Sequence, residues 1–143
     1  MILAMSEPGI SRMLLEAFRA IDADVEAALA DRGASDLTPS QAAAILLIGP
    51  QGIHLTELAE QGQITKQAMM QVVDELERQG FLRRTADPSD ARAKIVRLTP
   101  KGTRAKGEAR RAVNGVETRI RRRLGDSRYE ALRASLARLS VTE

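Results

Sequence analysis

Residues 55–102 read LTELAEQGQITKQAMMQVVDELERQGFLRRTADPSDARAKIVRLTPKG, and their order of elements decides the fold. A short helix over Thr56 to Gln61 is closed by Gly62. A second helix has Thr65 as its N-cap and runs to about Gln79, with Gly80 in the place of a C′ glycine. Phe81–Thr85 and Lys94–Leu98 have the composition of strands, and the ADPSDAR between them carries turn chemistry. Thr99-Pro100 then restarts a helix. Two short helices meeting at a tight turn, followed by a β-hairpin, make a helix-turn-helix with a wing. That shape sets a helix in one DNA groove and an arm in the next.

The flanks are helical. Upstream, Ile10, Met13, Leu14, Ala17, Phe18, Ile21, Val25 and Leu29 recur at helical spacing, which predicts one amphipathic helix over residues 7–32, stopped by Gly33. Thr38 caps a further helix with Pro39 at its first position, apolar on most sides, ending at Gly49-Pro50. Downstream, the helix from Pro100 reaches about Leu124, Gly125-Asp126 breaks it, and a last helix spans about Ser127–Leu139. The fold class is mainly α with a small β-wing, in one domain over residues 1–143. Residues 37–102 form the winged helix-turn-helix lobe, and residues 7–36 and 103–143 form dimerisation helices. The winged core is expected to close its own interior, so the apolar stripes of the flanking helices need another partner. A second copy of the chain, related by a two-fold axis, is the simplest one.

Composition narrows the function. There is no cysteine and a single histidine, His54, so neither a disulfide framework nor a transition-metal site can be built. His54 reads as a surface or loop residue. No serine has a histidine partner, no glycine-rich phosphate loop is present, and Asp87 and Asp90 sit beside arginines on a turn, so an enzyme or a bound cofactor finds no residues to carry it. The opening MILAMSEPG lacks both a basic n-region and a long apolar run, which argues against a signal peptide or membrane span and for a cytoplasmic protein. The net charge of +3 hides an asymmetry: residues 1–62 sum to −6 and residues 63–143 to +9. Charge runs are commonly just solvated helix faces, but a sign change at the start of the second motif helix is also the footprint of a polyanion partner.

Within that helix Met69, Val72, Val73 and Leu76 are expected to face inward with Ile64. The opposite face then offers Lys66, Gln67, Met70, Gln71 and Asp74. Gln67 and Gln71 stand one turn apart, and a glutamine amide matches the donor and acceptor of adenine, while Met70 or Ala68 suits a thymine methyl. Thr65 and Lys66, near the helix N-terminus, suit phosphate. In the wing, Arg92 is expected at the turn, where an arginine can enter a narrow minor groove, and Lys94, Arg97 and Lys101 are expected at phosphates.

These residues carry a family resemblance. Leu37-Thr38-Pro39-Ser40-Gln41, then LTELAE, TKQAMMQVVDELERQGFLRR and the wing DPSDARAKIVRLTPKG, resemble the MarR (multiple antibiotic resistance regulator) family of bacterial transcription factors. The resemblance covers essentially the whole chain. It implies a homodimer on double-stranded, pseudo-palindromic operator DNA, often relieved by small aromatic or anionic effectors. By steric logic a dimer that covers a promoter represses, and activation is compatible with the same residues. It also implies that Asp90 pairs with a basic residue near the first wing strand, Arg84 or Arg83, to hold the loop in shape. By analogy an effector pocket would draw on Met13, Phe18, Ile45 and Ile48, residues that read equally well as core. Two other readings use the same fold, a protein-docking winged helix and a nonspecific architectural DNA binder.

Overall fold

A computed structural model describes residues 7–141; the opening MILAMS, on which the signal-peptide and membrane reading rests, lies outside them, as do the last two residues of the expected domain. Helix α1 (Ile10–Asp31) leads to α2 (Pro39–Leu47), a short strand β1 (Ile53–His54), and helices α3 (Leu55–Gln61) and α4 (Lys66–Arg78). Strands β2 (Leu82–Asp87) and β3 (Asp90–Leu98) follow, then α5 (Pro100–Leu124) and α6 (Asp126–Leu139). The strands form one antiparallel sheet in the order β1-β3-β2. Mainly helical with a small wing is therefore the architecture.

Local chemistry sets the boundaries. Thr38 makes a full capping box: its hydroxyl accepts from Gln41 N–H at 3.2 Å, and the Gln41 side chain accepts from Thr38 N–H at 3.1 Å. Helix α1 starts at Ile10 rather than Glu7 because Gly9 is extended there, and it ends where Gly33 turns to φ +72°. Gly80, at φ +82°, closes the turn after α4 as its position predicted.

Four features depart from expectation. Strand β1 was not anticipated; it pairs Ile53 with Val96 and His54 with Ile95. The hairpin is longer than its composition suggested, leaving Pro88 and Ser89 alone between the strands. The winged lobe does not close its own interior either: Leu29 of α1 and Ala109, Ala112 and Val116 of α5 share one core with Ile45, Leu58, Val73 and Val96. Inside α4 the period holds, with Met69, Val73 and Leu76 buried and Val72 half-buried, but Ile64 is exposed. Its backbone N–H closes the α3 turn on Ala59 O, which leaves the side chain outside.

Helix α5 meets the hairpin at closest range at Gly102. A Cβ there would stand 1.8 Å from Phe81 O, so the glycine of the Leu-Thr-Pro-Lys-Gly run is a packing requirement. At the other end of α5, Arg121 donates to Asp126 at 3.2 Å and to Glu130, and lies 4.5 Å over the Tyr129 ring. This arginine fixes the α5–α6 corner. Among the described residues no helix is long and apolar enough to cross a membrane.

Candidate nucleic-acid interface

The second helix of the motif presents an open polar face. Thr65 Oγ1 accepts from Ala68 N–H at 3.1 Å, so its oxygen is the N-cap and only its hydroxyl hydrogen remains to donate outward. Lys66, Gln67, Met70 and Gln71 are all exposed on the side opposite Met69, Val73 and Leu76. Among the described residues the side chains of Lys66, Gln67 and Gln71 have no hydrogen-bond partner. Asp74, expected on the same open face, is instead paired with Arg84.

Arg84 joins this helix to the wing. From β2 it donates to Glu77 Oε1 at 3.0 Å and to Asp74, and its backbone N–H donates to Glu77 Oε2 at 3.1 Å. The expected pairing of Asp90 with Arg84 or Arg83 is therefore corrected. Asp90 accepts from the backbone N–H of Arg92 at 3.0 Å, and Arg84 is held by α4 because that helix lies beneath β2.

Arg92 does not stand at the turn itself. The pairs Ala86↔Lys94 and Asp87↔Asp90 leave Ala91, Arg92 and Ala93 as an insertion on β3 with no counterpart on β2. Such a bulge re-aims a side chain out of the regular ladder. Asp90, by holding the Arg92 N–H, stabilises the bulge. Arg92 and Lys94 are exposed. Arg97 and Lys101, expected at phosphates, have partners within the protein. Arg97 is half-buried and donates to Thr85 Oγ1 at 3.2 Å and Gln51 O at 2.8 Å. Lys101 donates to Gln79 O at 2.7 Å and lies 4.4 Å over the Phe81 ring.

The acid that organises the turn is Asp87. Its Oδ1 accepts from the Ser89 N–H and hydroxyl, each at 2.8 Å, and its Oδ2 lies 2.7 Å from His54 Nε2. The Ser89 N–H, then the Ser89 hydroxyl, then His54 hold the Asp87 carboxyl down at about 2.

The four residues expected to line an effector pocket are not brought together. Ile45 and Ile48 are fully buried core, whereas Met13 and Phe18 project from α1 with 51% and 60% exposure. A cleft of about 640 Å³ lies elsewhere, between the end of α1, the loop after it, Phe81 and the start of α5. Arg32, Lys101, Arg104 and Arg111 line it, with Leu37 and Phe81 as apolar wall. Glu108 holds Arg111 at 2.6 Å and Arg32 at 3.7 Å.

Known proteins share this fold. Residues 35–93 match the profile of the MarR family. A solved structure of the transcriptional repressor CouR, bound to a 23-mer DNA duplex, is 30% identical, covers 99% of this chain and 100% of its own, and superimposes with a TM-score of 0.85. The chain belongs to the MarR family. A probable transcriptional regulator from Pseudomonas aeruginosa is 28% identical, with 93% and 98% of the two chains covered and a TM-score of 0.83. A MarR family protein of Mycobacterium tuberculosis, in complex with salicylic acid, is 27% identical, with 96% and 100% covered and a TM-score of 0.69. A search of curated proteins finds no match.

As a MarR-family protein the chain is a winged-helix, DNA-binding transcription regulator, a family of regulators rather than enzymes. Sequence reasoning located the open face of α4 and missed the set His54, Asp87 and Ser89. Asp-Pro-Ser is a local signature for an aspartate that bonds the backbone two residues on, and it was available to find Asp87. Nothing local marks His54, which reaches the turn only through β1.

Proposed function

We propose that this protein is a homodimeric, sequence-specific repressor of a pseudo-palindromic operator, acting in the cytoplasm and relieved by a small anionic effector. The observation that carries the reading is the open face of α4, with Lys66, Gln67, Met70 and Gln71 exposed and, among the described residues, unpartnered, beside a bulged wing that exposes Arg92 and Lys94. In this reading Gln67 and Gln71 meet base edges, Met70 a thymine methyl, Thr65, Lys66 and Lys94 phosphates, and Arg92 the minor groove.

Dimerisation is supported by the flanking helices. Ile10, Leu14, Phe18 and Ile21 on α1, and Leu132, Leu136 and Leu139 on α6, remain exposed in the single chain at helical spacing. Apolar stripes left uncovered on both flanking segments call for cover, and in this reading residues 7–36 and 103–143 are the dimer arms that cover one another across the two-fold axis. The effector would enter the cationic cleft beside Phe81. Lys101 lines that cleft and also bonds the last turn of α4, so an anion that draws Lys101 away from Gln79 O would disturb the helix that reads DNA.

Selection of bound duplexes from a random DNA pool tests the reading. The expected product is a palindrome with half-sites roughly 10–10.5 base pairs apart, and Gln67→Ala or Gln71→Ala relaxes the base preference at one position of each half-site. Binding should weaken steeply between about 50 and 200 mM salt. Retention of DNA without any enriched sequence would indicate an architectural binder. Failure to retain DNA at low salt would indicate a protein-docking wing.

A further inference from the structure

The tip of the wing stands clear of the core. Leu82, Val96 and Leu98 anchor its base, and β1 pairs only with Ile95 and Val96, so residues 86–94 form a ribbon with no third strand. A two-stranded ribbon is marginally stable in water and does not by itself fix a direction. Among the described residues, one side-chain bond ties this ribbon to another part of the chain: His54 Nε2 to Asp87 Oδ2, at 2.7 Å. An ionised carboxylate only accepts, so Nε2 carries the proton in this pair.

Both ends of the tie are fixed. Asp87 uses its other oxygen to hold Ser89, and its carboxylate is only 10% exposed. His54 pairs with Ile95 along β1 and is the residue immediately before α3, the first helix of the helix-turn-helix. A wing that swung would break the bond or pull on the start of α3. Asp87 also sits at the register shift that produces the Arg92 bulge on the opposite strand.

We propose that His54, acting through Asp87, is a positioning residue for DNA binding, which sets the direction of the wing and so delivers Arg92 to the groove. The inference rests on the reading of Arg92 as the residue that enters the minor groove. A double-mutant cycle tests it, read by fluorescence anisotropy on the duplex that the wild-type chain selects from a random pool. Arg92→Ala should weaken binding about fivefold or more in the wild-type chain. In the His54→Ala chain the same change should cost less than about twofold, because the untied wing no longer presents the guanidinium. His54→Gln, whose amide can still donate to Asp87, should restore part of the Arg92 effect. Thermal unfolding followed by circular dichroism checks that each variant is folded, and Asp87→Ala closes the same cycle should His54→Ala fail to fold. Equal Arg92 effects in the tied and untied chains would overturn the positioning role. No Arg92 effect in the wild-type chain would instead overturn the wing reading on which it rests.

Discussion

Arg84 of β2 is bonded to Glu77 of α4 twice, through Nη1 to Oε1 at 3.0 Å and through its backbone N–H to Oε2 at 3.1 Å. The guanidinium also takes Asp74, so α4 and the first wing strand are joined by one charged fork. The Arg84 side chain is 26% exposed, but Asp74 and Glu77 lie at 57% and 39%, so solvent screening keeps the contribution of the fork modest. Arg84→Ala leaves two carboxylates side by side without their cation. The expected loss is about 1 kcal/mol of stability, read by urea unfolding. DNA affinity should fall as well, with the selected sequence unchanged, because the outward residues of α4 are untouched.

Gly102 sets a second constraint on the same lobe. Phe81 O already accepts from Thr99 N–H at 3.1 Å, and a Cβ on residue 102 would come within 1.8 Å of that oxygen. Helix α5 and the start of β2 would have to part. Gly102→Ala should therefore destabilise the fold by about 2 kcal/mol or more, although alanine favours helix over glycine elsewhere. A melting temperature equal to that of the wild-type chain would contradict this close approach.

What was legible in the sequence follows from range. The helices were, because their apolar period and their caps at Thr38, Thr65 and Thr99 are contained within a few residues. Strand β1 was not, since two residues carry no period and its pairing with Ile95 and Val96 spans some forty positions. The open face of α4 could be read from its buried face. The cations could not be sorted: Arg84, Arg97 and Lys101 look like Arg92 and Lys94 on paper, and differ only in the acids and carbonyls that folding brings to them. Apolar residues divide in the same way. Ile45 and Phe18 are equivalent as letters, yet one is fully buried and the other stands on an uncovered face.

That uncovered face yields a third prediction. Phe18, at 60% exposure, is flanked on α1 by Leu14 and Ile21, one turn away on either side. If a second copy covers this stripe, a charge at its centre is left desolvated and unpaired. Phe18→Asp should convert a dimer into a monomer at micromolar concentration, measured by sedimentation velocity, while the helical circular dichroism of the folded chain persists. A wild-type chain that already sediments as a monomer would remove the basis for the two-fold arrangement.

The last prediction concerns acid. The Asp87 carboxyl is held at about 2, below its ordinary 3.8, first by the Ser89 N–H, next by the Ser89 hydroxyl and then by His54. A carboxylate with a depressed folded value favours the fold above its ordinary value, and that contribution fades as pH falls through the lower one. The wing turn should thus keep its charged aspartate at pH 3, where an unconstrained carboxylate is mostly protonated. Carboxyl-carbon NMR should place the Asp87 midpoint near 2; a midpoint at the ordinary value would mean that the turn bonds are not made in solution. Ser89→Ala and His54→Ala should each raise the midpoint only part of the way, because the Ser89 backbone N–H, the strongest of the three donors, survives both changes.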